Sequence, residues 1–383
     1  MTRLRHLALV TRSTVYHRVG GMERHTQELV DALRALGWAV TVVTAPLPAD
    51  PPEVPGVRYQ VVPGGSARGY TRAWRAHLAA VVDALHCAEP LAGILSQSTG
   101  AAPLLAWAKT RGLPLAMVVH STARDQLREP WGRHPRAWAR RLRAAWAWRE
   151  NRELLPRVPV LVAVSEAVAQ RLQEDLNGRV AVFVLPSGVD GTVFRPPSSG
   201  ERLRARRRFG MAEDAVWVGY SGRWTTEKGV DRLLRWVEGA RWRLALSGAG
   251  PLQGAVRRTP GVVAVGALPK AEQAEFLRGL DIFAFPSRHR EGLPMAVMEA
   301  MASGLPVVAA ADAGVAALLD QGRGVLLAED AGDAAFVQAI RRLSEDPMAR
   351  AAMGARAAAW AKERFPSWTD GVAKLLERMG LDG

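Results

Sequence analysis

The stretch IFAFPSRHREGLPMAVMEAMASGLPVVA, Ile282 to Ala309, decides the fold. IFAF reads as a buried strand, and the loop after it carries Glu291 and Gly292. Pro294 suits the first position of a helix, and the apolar run at 306–309 reads as the next strand. Strand, helix and strand make a βαβ unit, whose strands run parallel because the helix carries the chain back along one face. Working outward, the same rhythm fills the chain. Strands are expected at 5–11, 39–44, 58–62, 91–95, 115–119, 160–164 and 181–184, with helices near 22–36, 71–86, 101–111, 135–155 and 166–175. A second series has strands at 215–220, 242–246, 262–265, 282–285, 306–309 and 324–327, each followed by a helical segment. The fold class is therefore α/β with two parallel sheets.

Between the two series lies PSGVDGTVFRPPSSGERLRARRRFG, 186–210, which is rich in Pro, Gly and Ser and shows neither period. It reads as an interdomain connection. The expected organisation is a first domain over 1–187, a linker over 188–210, a second domain over 211–365 and a last helix within 366–383, capped by Ser367.

A chain of 383 residues, 48% hydrophobic and 23% charged, has the composition of a globular protein. Disordered and collagen-like classes are excluded. One cysteine, Cys87, leaves no internal disulfide, so a reducing cytoplasm is expected, and no Cys/His cluster has zinc-ligand spacing. No run approaches the roughly 20 apolar residues of a membrane span. Lys plus Arg is 51 against 37 Asp plus Glu, for a net charge of +14, which points to an anionic partner. The excess is densest from Arg124 to Arg157, where ten Arg face four acids and four Trp are interleaved.

Several loops carry chemistry. Gly20 and Gly21 stand at the mouth of the first helix, where bare backbone and free N–H groups favour an anion; a plain tight turn is the alternative. GxGxxG and the Walker A pattern are both absent. SGRWTTEKG, Ser221 to Gly229, sets Arg223 and Lys228 around a turn, where a planar fork and a point charge could converge on a diphosphate. Gly248 and Gly250, in GAGP, follow a strand at the edge where doubly wound sheets bind ligands. Glu299 stands eight residues after Glu291, and carboxylates so spaced suit sugar hydroxyls better than a hydrolytic pair.

Together, GGMERH (20–25), VVHS (118–121), VSEAVAQRL (164–172), LPSGVDGTVFRP (185–196), SGRWTTEKG, SGAGP and the E-x7-E pair Glu291 and Glu299 resemble the retaining glycosyltransferases of family 4. The resemblance covers nearly the whole chain, in order. It implies the GT-B fold: two Rossmann-like domains facing across a cleft, with the C-terminal helix crossing back to the first. It also implies roles. Arg223 and Lys228 would bind the donor diphosphate, Glu299 the ribose hydroxyls, and Glu291 with the amides of Gly292 and Leu293 the donor sugar and phosphate. Gly20 and Gly21 would approach the diphosphate from the other domain, Gly248 and Gly250 would line the donor site, and His120 would lie beside the reacting sugar. Two departures stand out: Pro294 replaces a small glycine often found at this helix start, and SGAGP lacks an acid that many relatives have there.

The implied reaction moves a sugar from a nucleoside-diphosphate sugar, UDP favoured and GDP second, to a glycan, lipid-linked or small-molecule hydroxyl with retention. No cofactor is called for. The sequence contains no Asp-x-Asp, the usual metal-diphosphate clamp of the other main glycosyltransferase fold. Two alternatives compete: a nucleotide-sugar epimerase on the same fold, and a nonenzymatic basic protein binding nucleic acid, for which no recognition motif exists. A further expectation concerns 133–146, where Arg133, Arg136, Arg140 and Arg143 recur at helical spacing beside Trp138, Leu142 and Trp146. Such a helix suits the anionic inner face of a membrane, giving a cytoplasmic, peripheral protein; the alternative is that both Trp residues pack into the core.

Overall fold

Runs of Val, Leu, Ile and Ala place the strands, and the inner strands are apolar nearly throughout because parallel strands inside a sheet are covered on both faces. The computed structural model describes residues 5–17, 20–128, 135–185, 188–288, 291–292, 294–311, 313–328, 330–365 and 367–382. The first series yields β1 (Arg5–Val10), β2 (Trp38–Thr44), β3 (Val57–Val61), β4 (Gly93–Gln97), β5 (Leu115–Val119), β6 (Val160–Ala163) and β7 (Val182–Val184). They form one parallel sheet in the order β3-β2-β1-β4-β5-β6-β7. The second yields β8 (Trp217–Ser221), β9 (Arg243–Ser247), β10 (Val262–Gly266), β11 (Ile282–Phe285), β12 (Val307–Ala310) and β13 (Gly324–Leu327), in the order β10-β9-β8-β11-β12-β13. In each sheet the first three strands step outward and the fourth returns to the other side of the first. The strand order therefore reverses between β1 and β4, and again between β8 and β11.

The chain forms two compact units, Met1–Ser187 with Trp368–Gly383, and Gly188–Ser367. Trp74, Leu7, Leu9, Leu29 and Ile94 anchor the first core, and Trp217, Tyr220, Phe276, Phe283 and Phe336 the second. The C-terminal helix Trp368–Arg378 belongs to the first unit: it buries Trp368, Val372, Leu375 and Leu376, contacts the helix Gly21–Ala35, and is followed by Leu381, whose carbonyl accepts from Arg5 at 2.9 Å.

The linker expected over 188–210 is corrected by the helix Glu201–Arg208, which lies inside the second unit. Its inward face is held by charge. Arg206 is buried and donates to Asp281 at 2.6 Å, while Asp281 also accepts from Arg202 at 2.7 Å and from the Trp217 amide at 2.8 Å. A helix docked through guanidinium groups has no apolar period to read. The helix expected over 101–111 is instead a 3-10 stretch, Ser98–Leu104, followed by a short α-helix, Leu105–Thr110. Pro103 lacks the N–H that a continuous helix needs.

Candidate functional site

In the second unit the informative loops follow β8, β9 and β11. The loops after β8 and β11 flank the reversal of strand order, where an open parallel sheet leaves a crevice at its C-terminal edge. They are joined by several bonds. The Arg288 amide donates to the Glu227 carbonyl at 2.9 Å, and its guanidinium grips Asp231 at 2.8 and 3.0 Å. Gly229 has φ +74°, and a Cβ there would lie 2.2 Å from the Pro286 carbonyl oxygen, so only glycine allows this approach.

That joining sets Lys228 beside Glu291. The ammonium pairs with the carboxylate, and the Ser287 hydroxyl donates to the same oxygen at 3.2 Å. Lys228 is 13% exposed and Arg223, on the same loop, 48%. Among the described residues Arg223 pairs with Glu227, at 3.9 Å. Glu299 is buried within the helix Met295–Ala302. Gly292 lies in the bend before that helix, and Leu293 falls outside the described residues. Pro294 is the N-cap, with φ −80° and ψ 95°, and Met295 is the first helical residue, which corrects the placement of Pro294 at the first position. Its carbonyl accepts from the Val297 amide at 2.9 Å while its ring nitrogen offers no donor.

Gly248 and Gly250 turn out to serve loop-on-loop packing. A Cβ at Gly248, where φ is +137°, would lie 1.9 Å from the Gly222 carbonyl oxygen, and one at Gly250 would lie 2.6 Å from that of Trp224. The bonds from the Gly222 amide to the Ser247 carbonyl (3.0 Å) and from the Trp224 amide to the Ala249 carbonyl (2.9 Å) hold the β9 loop against the β8 loop. These glycines fix the path of the loop that carries Arg223.

In the first unit the strand order reverses between β1 and β4, and the polar residues cluster there. Gly20 is the N-cap of the helix Gly21–Ala35, in extended backbone. A Cβ on Gly20 would meet the Glu23 carboxylate at 2.5 Å, whereas one on Gly21 would meet nothing within 4 Å, so Gly21 presents open backbone. Glu23 is buried and accepts from the Ser13 hydroxyl at 2.6 Å. His120 follows β5, and its Nε2 lies 2.5 Å from Gln97 Oε1 at the end of β4. Gln97 Nε2 lies 3.2 Å from Nδ1 of the buried His25. The His25 ring stands edge to face with those of His120 (4.7 Å) and Trp368 (5.0 Å). Burial lowers the His120 pKa to about 4, opposed by Glu23 and aided by Arg12, and burial with the neighbouring His120 holds His25 well below the usual histidine value.

Sequence reading missed Gln97, His25 and Arg12. Arg12 lies over the Tyr70 ring at 5.6 Å, and the Tyr70 hydroxyl donates to the Gln97 carbonyl at 2.7 Å. A usable signal was there: Ser96 and Gln97 are polar residues directly after the apolar run at 91–95, at a strand's C-terminal end. The expected strand stopped before them.

On the helix Pro135–Leu154, Trp138 is 62%, Leu142 68% and Trp146 60% exposed, so the alternative that the two Trp residues pack into the core is overturned. Trp146 takes only the Arg75 guanidinium over its ring, at 5.9 Å, among the contacts described. Arg143 is exposed; Arg133 and the side chains of Arg136 and Arg140 fall outside the described residues.

Residues 19–192 match the family model "Glycosyltransferase Family 4" and residues 215–346 match "Glycosyl transferases group 1". Among curated relatives, a GDP-mannose-dependent alpha-(1-6)-phosphatidylinositol monomannoside mannosyltransferase of Mycolicibacterium smegmatis is 31% identical over 57% of this chain and 61% of its own. The chain thus spans about three fifths of that relative. A D-inositol 3-phosphate glycosyltransferase of Xylanimonas cellulosilytica is 29% identical over 94% of this chain and 91% of its own. Among solved structures, sucrose-phosphate synthase from Thermosynechococcus elongatus shares the fold with a TM-score of 0.83, at 18% identity, over 99% of this chain and 100% of its own. Neither the epimerase nor the nucleic-acid-binding reading gains support from these comparisons.

Proposed function

The chain belongs to the family 4 glycosyltransferases of the GT-B fold, and from that premise we propose that it transfers a sugar, with retention and without a metal, from a nucleoside-diphosphate sugar to an acceptor hydroxyl. The observation that carries this reading is the Lys228–Glu291 pair at the reversal of strand order in the second sheet. A part-buried ammonium held at a loop crevice is placed to take a phosphate oxygen, and the carboxylate it releases is then available to sugar hydroxyls. Arg223 adds a second cation on the same loop, and the buried Glu299 accepts from the ribose.

As the bond from the anomeric carbon to the diphosphate oxygen breaks, the sugar becomes oxocarbenium-like and charge builds on the leaving oxygens. Lys228 and Arg223 stabilise that charge. The acceptor oxygen attacks on the face the diphosphate leaves, and its proton passes to a leaving phosphate oxygen. UDP and GDP are the proposed nucleotides, the second drawing weight from the mannosyltransferase relative named above. A thermal-shift screen over UDP-, GDP- and ADP-sugars tests this, since a ligand at 100 times its Kd stabilises by about 2.7 kcal/mol. Stabilisation by one class, followed by sugar transfer that persists in EDTA and gives the retained anomer, is the expected result. Donor turnover that needs no acceptor would favour an epimerase instead.

The exposed Trp138, Leu142 and Trp146 favour a lipid-linked acceptor. Three large apolar side chains at four-residue spacing, beside arginines in a chain of net charge +14, suit an anionic bilayer surface. No described helix is long and apolar enough to cross a membrane.

A further inference from the structure

His25, Gln97 and His120 form a chain of side chains within the first unit that the reading of donor-site loops does not use. We propose that Gln97 is a positioning residue: its amide fixes neutral His120 as the Nε2–H tautomer and presents Nδ1 as a hydrogen-bond acceptor, so that the group met there is a hydroxyl and not a carboxylate.

The argument is one of donors and acceptors. Gln97 Oε1, 2.5 Å from His120 Nε2, can only accept, so that nitrogen carries the hydrogen and Nδ1 keeps the lone pair. Gln97 Nε2, 3.2 Å from His25 Nδ1, can only donate, so His25 Nδ1 is bare and its hydrogen sits on Nε2. Among the described residues, the buried His25 Nε2 has no hydrogen-bond partner. The rings of His120 and Trp368 pack against the imidazole at 81° and 86° to its plane. One amide therefore ties the two tautomers together: turning it over would require both rings to move their hydrogens. The burial that depresses both histidines keeps them neutral near pH 7, as an amide bridge needs. Gln97 is itself buried at the end of β4, and the Tyr70 hydroxyl holds its carbonyl.

That Nδ1 meets a substrate hydroxyl rests on the transferase reading; the tautomer does not. The test is long-range 1H–15N NMR of the full chain labelled at histidine, with the His120 and His25 signals assigned by their loss in His120→Asn and His25→Asn. At pH 7 both rings are expected as Nε2–H. Gln97→Leu should mix the His120 tautomers. Should that variant not fold, Gln97→Glu decides, since a carboxylate still accepts from His120 Nε2 but cannot donate, and His25 is then expected to switch to Nδ1–H. A wild-type His120 with hydrogen on Nδ1, or tautomers unmoved by either substitution, overturns the proposal. In transfer assays Gln97→Leu should lose about tenfold in kcat/KM, the scale of one hydrogen bond, with affinity for free nucleoside diphosphate unchanged. An equal fall in that affinity would show a general structural defect and sink the positioning role. Complete lack of transfer by the wild-type chain, with the tautomers as expected, would reject the transferase reading alone.

Discussion

The two units place polar residues at the same point of the same topology, yet by opposite electrostatics. In the first, the reversal between β1 and β4 is lined by the neutral trio His25, Gln97 and His120 linked through an amide, with the charges of Glu23, bonded to Ser13, and Arg12 acting on His120 in opposite senses. In the second, the reversal between β8 and β11 is an ion-pair lattice, with Lys228 on Glu291, Arg288 on Asp231 and Arg223 half exposed. A site of neutral hydrogen-bonding groups reads shape and hydroxyl direction, because its donors and acceptors are fixed in orientation. A cationic site balances charge, which a diphosphate brings and a sugar does not. Under the transfer reaction proposed above, the cationic crevice of the second unit is the side expected to act on the leaving group.

The largest effect should come from breaking the charged side. Lys228→Ala, and Arg223→Ala less severely, should lower kcat by about 10²–10³-fold, or about 2.7–4 kcal/mol as for a lost oxyanion donor, with the Tm little changed. Turnover within about threefold of wild type in both variants would remove the diphosphate assignment. Glu299→Gln keeps the size and loses the charged acceptor, so calorimetry should show free nucleoside diphosphate and nucleotide sugar both bound more weakly, by about 1.5–3 kcal/mol. Unchanged affinity for both would take Glu299 out of the ribose site.

The glycines sharpen the comparison further. Gly248→Ala sets a Cβ against the Gly222 carbonyl in a left-handed backbone and should cost about 1–3 kcal/mol of stability, read as a fall in Tm. Gly21→Ala has open space and should leave the Tm unchanged. Equal stability losses in the two variants would contradict the assignment of Gly248 to loop packing. For the neutral side, acid is the probe. His120 has a folded pKa near 4 against an unfolded value near 6.5, so its contribution is present above pH 6.5 and is lost as pH falls from 6.5 through 4. Denaturant melts over that window should show a weaker pH dependence in His120→Phe; an unchanged slope would mean that His120 is not buried neutral.

The smallest effect expected is at the membrane, where each basic residue near an anionic surface is worth about 1 kcal/mol. Co-sedimentation with anionic vesicles should be lost in neutral vesicles and in Trp138→Ser/Trp146→Ser. Absence of sedimentation with anionic vesicles at low salt would leave a soluble acceptor as the better reading.

The order of strands and helices was legible because a parallel sheet buries both faces of its inner strands, leaving apolar runs such as LAMVV (115–119) and IFAF. The cations of SGRWTTEKG and the carboxylates at 291 and 299 were legible too, since charged residues at strand ends need a reason. What the one-dimensional pattern did not hold is partnership. That Lys228 faces Glu291, that Arg206 docks a helix through Asp281, that Gln97 bridges two histidines and that Gly248 backs onto Gly222 all depend on segments 23 to 75 residues apart meeting at one edge of a sheet. Composition and periodicity are local, so they determined the α/β class, the elements and the candidate charges. Strand order, which brings the loops after β1 and β4, or β8 and β11, together, is set by long-range packing of helices over the sheets, and only the tertiary structure decided it.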